Sequence, residues 1–412
     1  MVIKPIFSKP WPIVTMLCAT ATAGYMCRVN VSTAAPLLMK EFGLSQIAMG
    51  RIFSAFLLGY ALFQIPAGAL ADRFGARRVL SWVTWLWFII TVLQTLVGWG
   101  TIQFAATSAL IIFMMSRFLI GITASPTYPG SAQGVSRWVE PQFQGRATGI
   151  VIASIGLGSA IAPLVVSNIM VVWGWRIALI VSAIPALVIA LIWFRIKEPP
   201  AVQSIRKLAP SKAESGMNGK IRSKSFYLLT FSYTLQGYVG YIFVSWFYLY
   251  LVQERHFGLL SGAWMSSLPW ILSIVSIPLG GLISDRLVAG RLGAVWGRRI
   301  VPLAGMAFSG ILISIGAHTG NPIMAAISLA FATALILCVE GPFWAMMMRI
   351  AGHKSGTAGG IMNMGSNLGG LISPALTPII ASYIGWENAL HVAAVLAIFA
   401  ALLWLGINPE EL

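Results

Sequence analysis

Gly68-Ala69-Leu70-Ala71-Asp72-Arg73-Phe74-Gly75-Ala76-Arg77-Arg78 closes one long apolar run of the chain and leads into the next. A shorter copy, Gly281-Leu282-Ile283-Ser284-Asp285-Arg286 followed by Gly297-Arg298-Arg299, stands 213 positions on, again between the second and third apolar runs of its half. A string that returns at the same place in each half reads as an internal repeat. In both copies glycine permits a tight turn and close helix approach, aspartate can cap a neighbouring helix N-terminus, and the arginines hold the loop on one side of a membrane.

Outward from these loops the chain is apolar almost throughout. Only 9% of its residues are charged, against about 25% in an ordinary globular protein. Twelve apolar segments follow one another, at roughly 11–39, 47–71, 79–98, 102–136, 145–172, 175–196, 225–252, 259–284, 300–318, 322–350, 355–384 and 387–406. Each has the length a tilted helix needs to cross a hydrocarbon core of about 30 Å. The expected fold is an all-α membrane protein of twelve transmembrane helices in two pseudo-symmetric six-helix bundles. The bundles cover 1–197 and 225–412, and the polar, basic stretch 198–224 has the composition of a flexible linker.

The formal net charge of +16 would suggest nucleic acid as partner in a soluble protein. Here 21 of the 27 basic residues fall on one side, on the stretch before the first run and on alternate connections between runs. That bias places both termini in the cytoplasm and gives an even number of crossings. Cys18, Cys27 and Cys338 all lie inside apolar segments and read as packing residues rather than a disulfide framework. Residues 1–10 precede the first apolar run without a small-residue cleavage site after it, so that run is read as a retained helix.

Within the first run, Tyr25-Met26-Cys27-Arg28-Val29-Asn30 puts a guanidinium well inside the bilayer, with roughly four uncharged helical turns before it and three after. A charge at that depth costs at least a few kcal/mol unless it faces a cavity or a partner. The alternatives are satisfaction by backbone carbonyls, snorkelling outward, or an anion.

The twelve runs and the twice-occurring loop resemble the major facilitator superfamily across essentially the whole chain. Within it, Tyr25-x-x-Arg28-x-Asn30, Arg117-Phe118-Leu119-Ile120-Gly121 through Pro126-Thr127-Tyr128-Pro129-Gly130, and Gly359-Gly360-Ile361-Met362-Asn363-Met364-Gly365-Ser366-Asn367-Leu368-Gly369-Gly370 are similar to the anion:cation symporters. That group includes bacterial hexonate and hexuronate carriers and the sialin-like transporters. The resemblance implies a secondary transporter for a small organic anion, a sugar acid or an aromatic acid, working by alternating access as a proton symporter in a bacterial inner membrane. It implies a monomeric unit with no cofactor beyond the proton gradient, no enzymatic activity and no nucleic-acid partner. Position by position it assigns substrate contacts to Tyr25, Arg28, Tyr60, Arg117, Trp344 and Asn363. Gln236 is a further candidate on the seventh run. It also gives a conformational role to Gly68, Asp72, Arg73, Gly75, Arg77, Arg78, Asp285 and Arg286.

The chemistry of these side chains agrees with an anionic substrate, since a guanidinium offers a planar fork of donors to a carboxylate. For the tyrosines plain packing is an equal reading; Arg117 can instead pair across helices, and Asn363 can bond a neighbouring helix. Two acids of the sugar-acid symporters are missing: their positions hold Cys27 and Ala124. One acid remains deep in a span, Glu340 in Cys338-Val339-Glu340-Gly341-Pro342-Phe343-Trp344, where Gly-Pro can break the helix. Burial favours its neutral form and a nearby cation its charged one, so Glu340 is the expected proton-coupling residue; a permanent salt bridge to Arg28 or Arg117 is the alternative. The rival functions are a proton-independent facilitator or exchanger and an efflux carrier for larger amphipathic compounds. No Gly-x-x-x-x-Gly-Lys-Ser/Thr loop occurs. His256, His318, His353 and His391 lie on separate segments without metal-ligand spacing, so no metal site is expected.

Overall fold

The computed structural model describes residues 11–98, 105–196, 223–290, 292–351 and 355–408, and these are helical with short connections and no strand. In chain order the helices are α1 (Trp11–Phe42), α2 (Gln46–Phe74), α3 (Ala76–Thr95), α4 (Ala106–Ala124), α5 (Thr127–Trp138), α6 (Pro141–Arg195), α7 (Lys224–Ser245), α8 (Phe247–Gln253), α9 (Leu259–Ala289), α10 (Gly293–His318), α11 (Pro322–Cys338), α12 (Glu340–Ala351) and α13 (Ser355–Leu403), closed by a 3-10 turn at Trp404–Gly406.

Among the described residues eight helical stretches are long and apolar enough to cross a membrane, and α7 with α8, bent by 51°, makes a ninth. Two of the eight, Arg146–Arg195 and Thr357–Gly406, run for 50 residues, or about 75 Å of helix if straight. That is twice what one crossing needs. Each is interrupted by a glycine in a left-handed conformation, Gly174 (φ 77°) and Gly385 (φ 81°), which a side chain would oppose, so each holds two crossings. With the 32-residue α1, whose buried polar residues make it less apolar, the described residues hold twelve spans. The glycine, the tryptophan after it (Trp175, Trp386) and the exposed aromatic one or two residues before it (Trp173, Tyr383) recur in both halves. Aromatic side chains at a helix end suit the membrane interface.

The repeat is also visible in how helices touch. A Cβ at Gly158 would overlap the Thr22 carbonyl, and one at Gly369 would overlap that of Thr234. These pair the fifth span with the first and the eleventh with the seventh. In the same way Gly59 meets the Phe118 carbonyl and Gly280 the Cys338 carbonyl, pairing second with fourth and eighth with tenth. In lipid, where apolar surface gains nothing by leaving the acyl chains, close backbone packing of this kind is the main cohesive term between helices. The glycines of the fifth and eleventh spans are not all used alike: Gly149 and Gly360 have open space where a Cβ would stand.

Contacts group Met1–Val31 with Leu58–Ser215 in one compact unit, and Ser32–Leu57 with Gly216–Leu412 in a second. The first half of α2 is held in the second unit by specific bonds. Ser54 Oγ donates to the Leu371 carbonyl (2.8 Å), Trp386 Nε1 to Gln46 Oε1 (3.0 Å) and Gln46 Nε2 to Gln253 Oε1 (3.0 Å). Phe53 meets Trp246 edge-on at 5.3 Å. Of the expected linker, residues 198–222 lie outside those described.

Candidate functional site

In the first unit the polar side chains of α1 divide between two faces. Met26 and Val29 pack on Ala162, with Ile161 and Val165 around them, which locks the helix against the fifth span. Asn30 is fully buried and its Nδ2 donates to Ser182 Oγ at 3.1 Å. Its Oδ1 accepts from Arg117 Nη2 (3.2 Å), and the same nitrogen reaches Gln94 Oε1 (3.3 Å), which also accepts from Ser116 Oγ (3.2 Å). Arg117 Nη1 donates to the carbonyls of Cys27 (3.1 Å) and Arg28 (3.4 Å). One network therefore joins the first, third, fourth and sixth spans.

Arg117 is 2% exposed, and these four bonds commit its fork to protein acceptors. The pairing across helices considered from sequence is thus what its geometry displays. It acts on Arg28 through the stretch of backbone they share. Arg28 occupies the adjacent, half-buried face of α1. Its Nη1 donates to the Tyr25 hydroxyl (3.2 Å), and its guanidinium lies 5.1 Å from the Tyr25 ring centroid and 5.9 Å from that of Tyr60. Tyr128 completes the group, with its hydroxyl near those of Tyr25 and Tyr60. Tyr128 carries no signal of such a role in the sequence beyond its place in the fourth-run string. The interruption between α4 and α5 at Ser125-Pro126 starts a new helix just before it. Cys27, at one of the missing acid positions, is fully buried. Ala124, at the other, ends α4 and its carbonyl accepts from Thr127 Oγ1.

In the second unit the tenth span breaks at Val339, two residues before the expected Gly-Pro: α11 ends at Cys338 and α12 starts at Glu340. Pro342 then falls in the first turn of α12, where a missing N–H is tolerated. The break presents Glu340 at a helix N-terminus, a favourable place for a carboxylate. Tyr233 OH donates to its Oε2 (2.7 Å) and Gln236 Nε2 to its Oε1 (3.0 Å), and the Trp344 side chain lies nearby. Gln236 is 2% exposed and its Nε2 also reaches the Ile336 carbonyl. Gln236 thus orients Glu340. Tyr233 was not singled out from sequence, although its spacing of three from Gln236 puts both on one face of α7. The Tyr233 ring packs at a tilt against Phe343 at 4.8 Å, and Phe343 meets Trp404 at 4.9 Å. Trp344 is 37% exposed, and Asn363 is half-buried on α13 with no hydrogen bond to another described residue.

The repeated loops anchor helix ends. Gly75 (φ 83°) makes the turn between α2 and α3. Arg77 donates through Nε to the Trp193 carbonyl (3.3 Å) and through Nη2 to that of Phe194 (2.6 Å), closing the C-terminal end of α6. In the second half Arg299 Nε donates to the Ile407 carbonyl (2.7 Å) at the corresponding end of the twelfth span. A cation at a helix C-terminus is favoured by the dipole. Arg298 pairs with Asp285, while Arg73, Arg78 and Arg286 are exposed. The Asp72 side chain lies outside the described residues. Gly68 has open space around it, so it makes no close helix approach; Gly59, two and a half turns earlier, does.

Comparison with known proteins places these features. The model of the Major Facilitator Superfamily matches residues 16–362 and 287–412. The hexuronate transporter of Bacillus subtilis is 29% identical over 96% of this chain and 94% of its own length. A probable sulfoacetate transporter of Cupriavidus necator is 29% identical over 96% and 93%, and a probable galactarate/D-glucarate transporter of Escherichia coli K12 is 28% identical over 95% and 92%. Among solved structures, a D-xylose–proton symporter superposes with TM-score 0.79 at 17% identity, covering 98% of this chain and 99% of its own. A bacterial homologue of the human lysosomal transporter Spinster gives 0.79 at 18%, covering 97% of each. Twelve spans in two repeated halves, loops that tie matching helix ends, and a family model spanning nearly the full length lead to one assignment: the chain belongs to the Major Facilitator Superfamily.

Proposed function

We propose that this protein is a secondary transporter for a small organic anion of the sugar-acid class, working by alternating access with proton symport, and that it lies in a bacterial inner membrane with both termini cytoplasmic. The observation that carries the reading is the Arg28 group. A half-buried guanidinium stands deep in a span among the phenols of Tyr25, Tyr60 and Tyr128. A guanidinium recognises a carboxylate through two parallel N–H donors, and phenol hydroxyls suit the hydroxyls of a sugar acid. The relatives that carry hexuronate and galactarate or glucarate support this substrate class. Arg117 holds the helix turn that bears Arg28.

Proton coupling is assigned to Glu340, the acid set among Tyr233, Gln236 and Trp344. A second reading, anion exchange without protons, is favoured by one observation: Cys27 and Ala124 stand where related symporters carry acids. Uptake of glucuronate, galactarate and galactonate into proteoliposomes, with and without an inward proton gradient, separates the two. Coupling predicts gradient-driven accumulation that Glu340→Gln abolishes while substrate exchange persists. Accumulation unchanged in Glu340→Gln removes Glu340 from the mechanism, and no response to the gradient in the parent protein leaves the exchanger.

A further inference from the structure

The four histidines are scattered in sequence, yet the fold brings two of them together with an acid. His318, Glu387 and His391 place one ligand atom each within 4.8 Å of one another. His318 Nδ1 lies 2.9 Å from Glu387 Oε1, and His391 Nε2 lies 3.8 Å from the same oxygen. We propose that this group binds a divalent transition-metal ion, with zinc as the best fit, and staples the end of α10 to the part of α13 that follows the Gly385 kink.

Three features support a built site. Neighbouring ligand atoms around a tetrahedral zinc with bonds of about 2.0–2.2 Å stand roughly 3.4 Å apart, so small rotations of three accessible side chains suffice. The helices that bear them are fixed close by: a Cβ at Gly310 of α10 would come within 2.7 Å of the Ala394 carbonyl of α13, two turns from His318 and one from His391. The ligands are also oriented. Glu387 and His391 are one helical turn apart, and Ser314, one turn before His318, has its hydroxyl 3.2 Å from His391 Nδ1. A hydrogen bond to the second ring nitrogen is how proteins aim a ligating histidine, and here it leaves Nε2 for the ion.

Two imidazoles and one carboxylate select zinc, nickel, cobalt or copper over magnesium and calcium, which take oxygen ligands. The high exposure of His318 and Glu387 leaves the fourth position to water. Arg255 is the nearby cation, and its guanidinium is engaged by the carbonyls of Gly316, Ala317 and Thr319 and by the Tyr250 hydroxyl. It closes the C-terminal end of α10, and its charge also acts on Glu387. The site lies at the end of α10 away from the basic loop of Asp285 and Arg298, and it shares no residue with the Glu340 group.

The test is calorimetric titration of the full chain, purified without an oligohistidine tag, with zinc chloride and, in parallel, magnesium chloride. One zinc per chain is expected, with no binding of magnesium and a melting temperature that rises with zinc. His318→Ala and His391→Ala should each weaken zinc by at least about tenfold and Ser314→Ala by about tenfold, while His256→Ala leaves it unchanged. The zinc-dependent rise in melting temperature should vanish in the His318→Ala/His391→Ala double variant. Absence of zinc binding by the parent protein, or equal affinity in that double variant, overturns the proposal.

Discussion

Arg28 and Arg117 lie in neighbouring spans and carry the same charge, yet their surroundings divide their roles. Arg117 is fully enclosed and hydrogen-bonded to Asn30, Gln94 and two carbonyls of α1. Replacing it with leucine leaves Asn30 Oδ1 buried without its donor, at about 1–3 kcal/mol, and removes the second donor from Gln94 Oε1 and from the two helix carbonyls. The expected result is a loss of about 1–3 kcal/mol, read as a lower melting temperature and denaturation midpoint in detergent. Arg28, half-buried among tyrosines, is expected to behave oppositely. Arg28→Lys keeps the charge but loses the fork, so the protein should melt as the parent does while KM for the anion rises by about tenfold, or about 1.4 kcal/mol. Equal loss of stability in both variants would contradict this division.

At the scale of elements, glycines that look alike along the chain do different work. Gly369 abuts the Thr234 carbonyl, whereas Gly360 of the same helix faces open space. Gly360→Ala should be neutral or gain up to about 1 kcal/mol from helix propensity. Gly369→Ala should lose about 1–3 kcal/mol, because a methyl there pushes the seventh and eleventh spans apart. Thermal melts of the two variants check the contrast. The same comparison between Gly59→Ala, expected to destabilise, and Gly68→Ala, expected to be tolerated, tests which glycine of α2 sets the distance to the fourth span. The break in the tenth span is a related case. Gly341-Pro342 in the sequence announced a discontinuity, but the turn lies at Val339 because proline is accommodated in a first helical turn and the Cys338 carbonyl is held against Gly280.

At the scale of the whole molecule, the charge bias makes the most direct prediction. A cysteine introduced by Lys212→Cys, in a background with Cys18, Cys27 and Cys338 replaced by alanine, should react with an impermeant maleimide only from the cytoplasmic side. Thr319→Cys, at the end of α10 beyond His318, should react only from the opposite side. Reversed or two-sided labelling would refute the orientation. The division into compact units is a matter of contacts. Ser32–Leu57 packs with Gly216–Leu412 through Gln46, Phe53 and Ser54, a grouping that follows neither chain order nor the repeat.

By itself the sequence determined the twelve spans, the repeat and the family, because these rest on local properties: run length, hydropathy, charge bias and a loop string that occurs twice. It also marked Arg28 and Glu340, since a charge inside an apolar run is visible without coordinates. Only the tertiary structure decided what each polar side chain meets. Arg117 proved a tie between helices, Gln236 and the unremarked Tyr233 became the partners of Glu340, Tyr128 joined Tyr25, and His318, Glu387 and His391 converged from positions up to 73 residues apart in the chain. The physical reason is that helix faces are aimed by packing. Where two backbones approach at a glycine, the rotation of each helix is set, and with it the neighbours of every side chain, which no one-dimensional pattern records.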